Sequence, residues 1–227
     1  RMNAKSVASA LSDAEQDAER VSSMDGDVSY LSESQSQEGQ STQLPSMIGT
    51  CVHEVFEQLA ESQNAGQFDA SIDGQQAIWR CRLLQLGVNS LAIDAALSTV
   101  ENAVNAVLND VTGKWVLDAE HRAAKNEWPL SCLSGDVDSP VYHYVIDRSF
   151  IDKNNVRWII DYKISAPSEL VSADDFIEQQ KKVYSAQLAN YKDAVTQFDL
   201  LSGESIVDTK CALYFPLMNR LVELGDC

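Results

Sequence analysis

The run Ile159-Ile160-Asp161-Tyr162-Lys163 puts an aspartate and a lysine two positions apart at the end of an apolar segment. In an extended chain, side chains two apart project from one face. Burying an unpaired charge is costly, so neither group is there for packing. Two readings fit: an ion pair at a strand end, or a carboxylate that holds a divalent cation beside a lysine that steadies a nucleophile or a developing anion. Asp147 sharpens the choice. It also follows apolar residues, Tyr144, Val145 and Ile146, and the intervening Asp152-Lys153-Asn154-Asn155 has the composition of a hairpin turn. A short hairpin would set Asp147 beside Asp161 on adjacent strands. Carboxylates that close repel strongly unless a cation lies between them. Two acids and a lysine on paired strands therefore point to Mg²⁺ or Mn²⁺.

Other polar residues sit where apolar ones are expected. His53, in Gly49-Thr50-Cys51-Val52-His53-Glu54, lies one residue off an apolar helical stripe; a lone histidine there is more often a structural hydrogen-bonder than a ligand. Glu127, in Asn126-Glu127-Trp128-Pro129-Leu130, starts a strand and taken alone reads as a surface residue. Gln187 and Tyr191 are four apart on one helix face, either a helix edge or a polar pair reaching into a site. Cys51, Cys81, Cys132, Cys211 and Cys227 are scattered with no C-x-x-C pair, which removes support for zinc ribbons and tight iron–sulfur loops. Isolated thiols in odd number fit a reducing cytoplasm, mostly as small buried hydrophobes. No Walker A sequence occurs, so no ATP site is expected in this chain.

The elements that must position these groups follow from periodicity. The chain has 227 residues, 44% apolar and 22% charged, enough for one sizeable core. Residues 1–45 hold ten Ser and five Gln; apart from a weak helix over Lys5 to Val21 they read as a partly disordered linker or tether. The domain is expected over 46–227. Helical spacing predicts helices over Gly49 to Gln63, Ile78 to Leu86 and Leu91 to Leu108. The period then shortens toward 2. Strands are expected over Glu127 to Leu133, Val141 to Ile151, Val156 to Ser165 and Lys210 to Leu217, with a long helix over Ala173 to Phe198. On the second strand Tyr142, Tyr144, Ile146, Arg148 and Phe150 should share one face. The order indicates a single α/β or α+β domain with a helical first part. No membrane-spanning run and no secretory signal are visible, and a start on Arg1 suggests a fragment or processed chain.

The five polar features occur in an order that resembles the RecB-like nuclease branch of the PD-(D/E)XK superfamily, found at the C-terminal ends of AddA- and RecB-type helicase–nucleases of the UvrD type. Its pattern is a Gly-x-x-x-His helix, a Glu before an apolar-aromatic strand, an Ile-Asp-Arg strand, an Asp-Tyr-Lys strand and a Gln-x-x-x-Tyr helix. Here these are Gly49 and His53, Glu127, Ile146-Asp147-Arg148, Asp161-Tyr162-Lys163, and Gln187 with Tyr191. The resemblance covers about residues 47 to 215. It implies a restriction-endonuclease-like core, a mixed central sheet flanked by helices. It implies a deoxyribonuclease of exonuclease V type, acting in DNA repair and recombination. His53, Asp147 and Asp161 would ligate Mg²⁺ or Mn²⁺ with the backbone carbonyl of Tyr162, and Glu127 would lie near the metal or its waters. Lys163 would orient or activate the attacking water. Gln187, Tyr191 and Arg148 would position the DNA strand or the site. The expected partners are DNA, as a single strand fed from a helicase, the rest of a parent polypeptide, and a second subunit; no membrane is expected. An alternative is a weak or inactive nuclease fold kept for DNA binding or subunit docking. The family usually carries Gly three residues before the hairpin aspartate, where this chain has Tyr144. The cysteines that bracket an iron–sulfur cluster in some relatives are absent.

A net charge of -17 first argues against a nucleic-acid partner. The distribution softens that. The leader holds eight acids against three bases, residues 46–119 nine against three, and residues 120–227 seventeen against eleven. Lys163, Lys181, Lys182 and Lys192 lie in or near the elements that should face DNA. The expectation is weak DNA affinity for this chain alone.

Overall fold

A four-residue turn fixes the register on which the candidate site depends. In this computed structural model, which describes residues 43–64, 72–133, 141–168 and 170–225, strand β2 (Val141–Ile151) turns back into β3 (Val156–Tyr162) through Asp152 to Asn155. Asn155 takes the left-handed conformation (φ 59°), which asparagine tolerates. The Asp152 carboxylate accepts hydrogen bonds from the backbone N–H of Asn154 (2.8 Å) and Val156 (3.1 Å) and from the Trp158 indole N–H (3.1 Å). The hairpin is antiparallel with Ile151 opposite Arg157 and Arg148 opposite Ile160. Beyond that pair, the Tyr162 N–H donates to the Asp147 carboxylate at 2.7 Å.

Strand β1 (Arg122–Leu133) pairs antiparallel with the outer edge of β2. On the other side β3 pairs in parallel with β4 (Asp208–Phe215), and β4 pairs antiparallel with β5 (Arg220–Leu224). The sheet order is β1-β2-β3-β4-β5. The helices are α1 (Leu44–Asn64), α2 (Ile72–Gln85), α3 (Ile93–Asn109), α4 (Val111–Leu117) and α5 (Ala173–Ser202). A parallel pair needs a crossover, and α5 provides it. It begins at Ser172, whose hydroxyl accepts from Asp175 N–H (3.1 Å), and ends at left-handed Gly203 (φ 71°). Ile177, Leu188, Tyr191 and Val195 of α5 pack on Ile159, Cys211, Leu213 and Phe215 of the sheet. Against the opposite face, Trp115 of α4 stands edge-on to Phe150 and Trp158, and Phe56 of α1 stands edge-on to Tyr162. β3 is covered on both faces, as its continuous apolar run requires. Gly113 of α4 is fixed by contact: a Cβ there would lie 2.5 Å from the Val107 carbonyl and 2.6 Å from the Tyr214 hydroxyl.

The mixed α/β character is as expected, and several boundaries differ. α1 starts at Leu44 because Pro45 falls in the first turn, where a missing N–H costs nothing. β1 starts at Arg122, not Glu127, and shifts register between Arg122 and Lys125 around Ala123 (φ 50°). β3 stops at Tyr162 and β4 gives way at Pro216 to a short 3-10 turn. α4 and β5 were not expected. The expected leader and its helix over Lys5 to Val21 lie outside the described residues, except for residues 43–45; from Met47 to Cys227 the chain forms one unit. Among the described residues no helix is long and apolar enough to cross a membrane.

Burial alone would raise the Asp152 carboxyl; the bonds from Val156, Trp158 and Asn154 outweigh it and hold it below its ordinary value. Its stabilising effect is therefore present above the unfolded carboxylate value of about 3.9 and is lost as pH falls through the folded one. Asp152→Ala should cost about 1–2 kcal/mol in urea unfolding at neutral pH. The gap from wild type should close as the pH is lowered below that range.

Candidate metal centre

The site forms where the alternation of β2 fails. Tyr144 meets Tyr191 of α5, and Ile146 belongs to the α5-side core. Arg148 and Phe150, two and four residues on, reach α4 instead. The expected single face from Tyr142 to Phe150 is thus split at Asp147. On β1 the matching irregularity is Glu127, whose φ of 40° lies in the left-handed region that a strand residue rarely adopts. Glu127 and Asp147 fall between two registered pairs, Asn126 with Arg148 and Trp128 with Ile146. The break turns both carboxylates toward α1.

α1 supplies His53. Val52, Val55 and Phe56 fix the helix against the core, and His53 stands at the edge of that stripe. Its Nε2 lies 3.3 Å from the Tyr162 carbonyl oxygen. With the proton on Nε2 donated there, Nδ1 keeps a lone pair 3.6 Å from Asp147 Oδ1 and 3.8 Å from Glu127 Oε1. Burial holds the imidazole below its ordinary value, against the opposing pull of Asp161 and Glu127, so the neutral, ligand-ready form is favoured. Ligand atoms of His53, Glu127 and Asp147 lie within 4.8 Å of one another. Glu127 Oε1 is buried and accepts no hydrogen bond. A neutral nitrogen and carboxylate oxygens around a buried acceptor without a donor fit a divalent cation.

Asp147 is anchored as well: its Oδ2 accepts from Tyr162 N–H at 2.7 Å. Asp161 adjoins the group with its side chain 4% exposed, and its Oδ2 faces Lys163 Nζ at 2.8 Å. Lys163 Nζ also lies 3.9 Å from the centre of the Tyr184 ring. Burial would lower the Lys163 ammonium, but Asp161 and Tyr184 outweigh it and the net value is raised. Lys163 is therefore a fixed cation. Gln187 Nε2 donates to the Tyr191 hydroxyl at 2.8 Å, and burial and then the charge of Asp161 push that phenol up.

No protein-family model matches this chain, and neither does any curated protein sequence. The geometry must carry the reading. It gathers His53, Glu127 and Asp147 and sets Asp161, Lys163, Gln187 and Tyr191 beside them. Arg148 is different: it is 1% exposed and donates to Asn126 Oδ1 (2.7 Å), Val116 O (3.1 Å) and Asp118 O (3.0 Å). It can brace β1 next to Glu127 but cannot meet DNA. Tyr184 and Asn126 were missed. Tyr184 was legible, since it shares the helical face of Gln187 and Tyr191; Asn126 carried no signal apart from Arg148. Of the described cysteines, Cys51 and Cys211 are buried, and burial pushes the Cys51 thiol up to about 11. Cys81 is exposed and Cys132 half-buried, so the small-hydrophobe reading holds for two of the four.

Burial first, then the charge of Asp147, raises the Glu127 carboxyl above its ordinary value. Ionising it therefore opposes folding, and the loss grows as pH rises from the unfolded value of about 4.3. In chelator, Glu127→Gln should raise Tm by a few degrees at neutral pH and change nothing under acid conditions. Millimolar Mn²⁺ should raise the Tm of the wild type but not of this variant, which differential scanning fluorimetry would read.

Proposed function

We propose that the chain is a metal-dependent nuclease hydrolysing phosphodiester bonds in DNA, with the restriction-endonuclease-like core of the PD-(D/E)XK superfamily and of its RecB-like branch. The observation that carries this reading is the meeting of His53, Glu127 and Asp147 beside the Asp161–Lys163 pair. His53, Glu127 and Asp147 would hold the ion, with Asp161 and the Tyr162 carbonyl adjoining. Mg²⁺ or Mn²⁺ supplies a Lewis acid for a phosphoryl oxygen and a water of lowered pKa.

The chain's own groups complete the chemistry. The Tyr162 N–H fixes the Asp147 carboxylate, and the Tyr162 carbonyl fixes the ring of His53. An imidazole in the set admits Mn²⁺ more readily than oxygens alone would. Lys163, whose ammonium Asp161 and Tyr184 hold above its ordinary value against burial, would orient or activate that water and offset charge growing on the phosphate. Gln187 and Tyr191 form a hydrogen-bonded unit that positions the strand or the lysine. With a net charge of -17, this chain grips DNA weakly by itself. A parent helicase polypeptide feeding it a single strand, together with a second subunit during double-strand-break processing in the cytoplasm, is part of the proposal. One observation favours a second reading, a non-catalytic module for DNA binding or docking: the Asp161 carboxylate is turned to Lys163 rather than grouped with the three ligands.

The purified chain should degrade single-stranded DNA with Mg²⁺ or Mn²⁺ and stop on adding EDTA. Lys163→Met should lower kcat by roughly 10²- to 10³-fold. If Asp161→Ala degrades DNA as fast as the wild type, the catalytic assignment is wrong. Calorimetric titration separates the alternatives: no heat of binding at millimolar Mn²⁺ favours the non-catalytic module.

A further inference from the structure

Beyond Asp147, away from the β2–β3 turn, β2 carries Tyr142 and Tyr144 on one face. Their rings are within 4° of parallel, with centroids 6.4 Å apart. Tyr144 meets Tyr191 edge-to-face at 5.6 Å, and Tyr191 feels the charges of Asp161, Asp147 and Lys163. The rings form a row running from the hairpin arm into the candidate centre. Across the strand pair they face Cys132 and Leu130, so they do not belong to a cross-strand aromatic ladder. Both remain half-buried.

We propose that Tyr142 and Tyr144 are a stacking platform for the bases of an unpaired nucleic-acid strand entering the centre. The choice of ligand rests on the nuclease reading above. Every base has a π-face, so stacking on an aromatic side chain is tolerant of sequence and contributes about 1–3 kcal/mol per base. The chain is strongly acidic, and the Tyr144 phenol is raised first by burial and then by its neighbours Cys132, Tyr142 and Asp193. Phosphates are disfavoured there, and uncharged ring faces are not. In a duplex each base face is already covered by its neighbours, so the platform selects single strands. Retention by stacking also depends little on salt, unlike retention by phosphate neutralisation.

The test compares metal-free binding of an oligothymidylate and of an abasic strand of equal length, followed by tyrosine ring resonances up to millimolar strand. The wild type should bind the oligothymidylate the tighter of the two, with little change on adding salt. Tyr144→Ala should weaken that binding roughly 5- to 150-fold and leave the abasic strand unaffected, while Tyr144→Phe should retain it. Tyr142 lies one step further from the core, so Tyr142→Ala gives the same comparison if Tyr144→Ala fails to fold. Equal binding of the two strands, equal losses for both, or no oligothymidylate binding at millimolar strand would overturn the platform. With Mn²⁺ the two readings separate. A wild type that binds through these tyrosines but leaves the strand uncut keeps the platform and sinks the nuclease. Cleavage whose KM is unmoved by Tyr144→Ala does the reverse.

Discussion

Glu127 and Asp147 repel each other, and much of the surrounding structure holds them together regardless. Like charges a few ångströms apart in a half-buried setting destabilise a fold unless hydrogen bonds or cations offset them. Here the offset is divided. The Tyr162 N–H takes one Asp147 oxygen, the His53 ring faces the other, and Glu127 keeps an oxygen with no donor. Backbone strain accompanies this, in the positive φ of Glu127. Such features persist only where neighbouring structure over-determines them.

That over-determination comes from cations sunk in the core away from the cluster. Arg148 is buried with its guanidinium on the carbonyls of Val116 and Asp118, at the C-terminal end of α4 where the helix dipole is negative. Its third bond, to Asn126, clamps the residue preceding Glu127. Arg157 forms a bidentate pair with Asp199 and ties the start of β3 to the end of α5. A buried pair of this kind adds little net stability but is costly to break, so it fixes position more than it strengthens the fold. Both arginines are fully engaged by structural partners. Half-buried Lys163, by contrast, points its charge at Asp161 beside the cluster.

The hairpin and its consequence were legible because they are local. The turn composition around Asp152 and the apolar runs on either side suffice to set the β2–β3 hairpin. The long helix was legible for the same reason, down to the face shared by Gln187 and Tyr191. What escaped depends on pairing between distant segments. The change of face at Asp147 exists only because Glu127 on β1 is irregular at the matching position, and no period within β2 encodes it. α4 is too short for helical periodicity to register, and β5 is a five-residue edge. His53 and Glu127, each unremarkable alone, gained meaning only from order along the chain, and Arg148 could not be told from a surface arginine without its acceptors.

The charge of the cluster can be counted on its own terms. Glu127, Asp147 and Asp161 bring three potential negative charges and Lys163 brings one positive, while burial keeps His53 neutral. Three minus one leaves a deficit of two, the charge of a divalent cation. On the nuclease reading, the raised carboxyl of Glu127 relieves part of that charge by favouring a proton where a cation would otherwise serve. The Asp161–Lys163 pair relieves another part. On the nuclease reading, an ion that satisfied the carboxylates would leave the lysine charge free for the phosphate. On the same reading the acidity of the whole chain matters: a chain this negative repels phosphate in general, so a strand would have to approach through its bases and one locally compensated point.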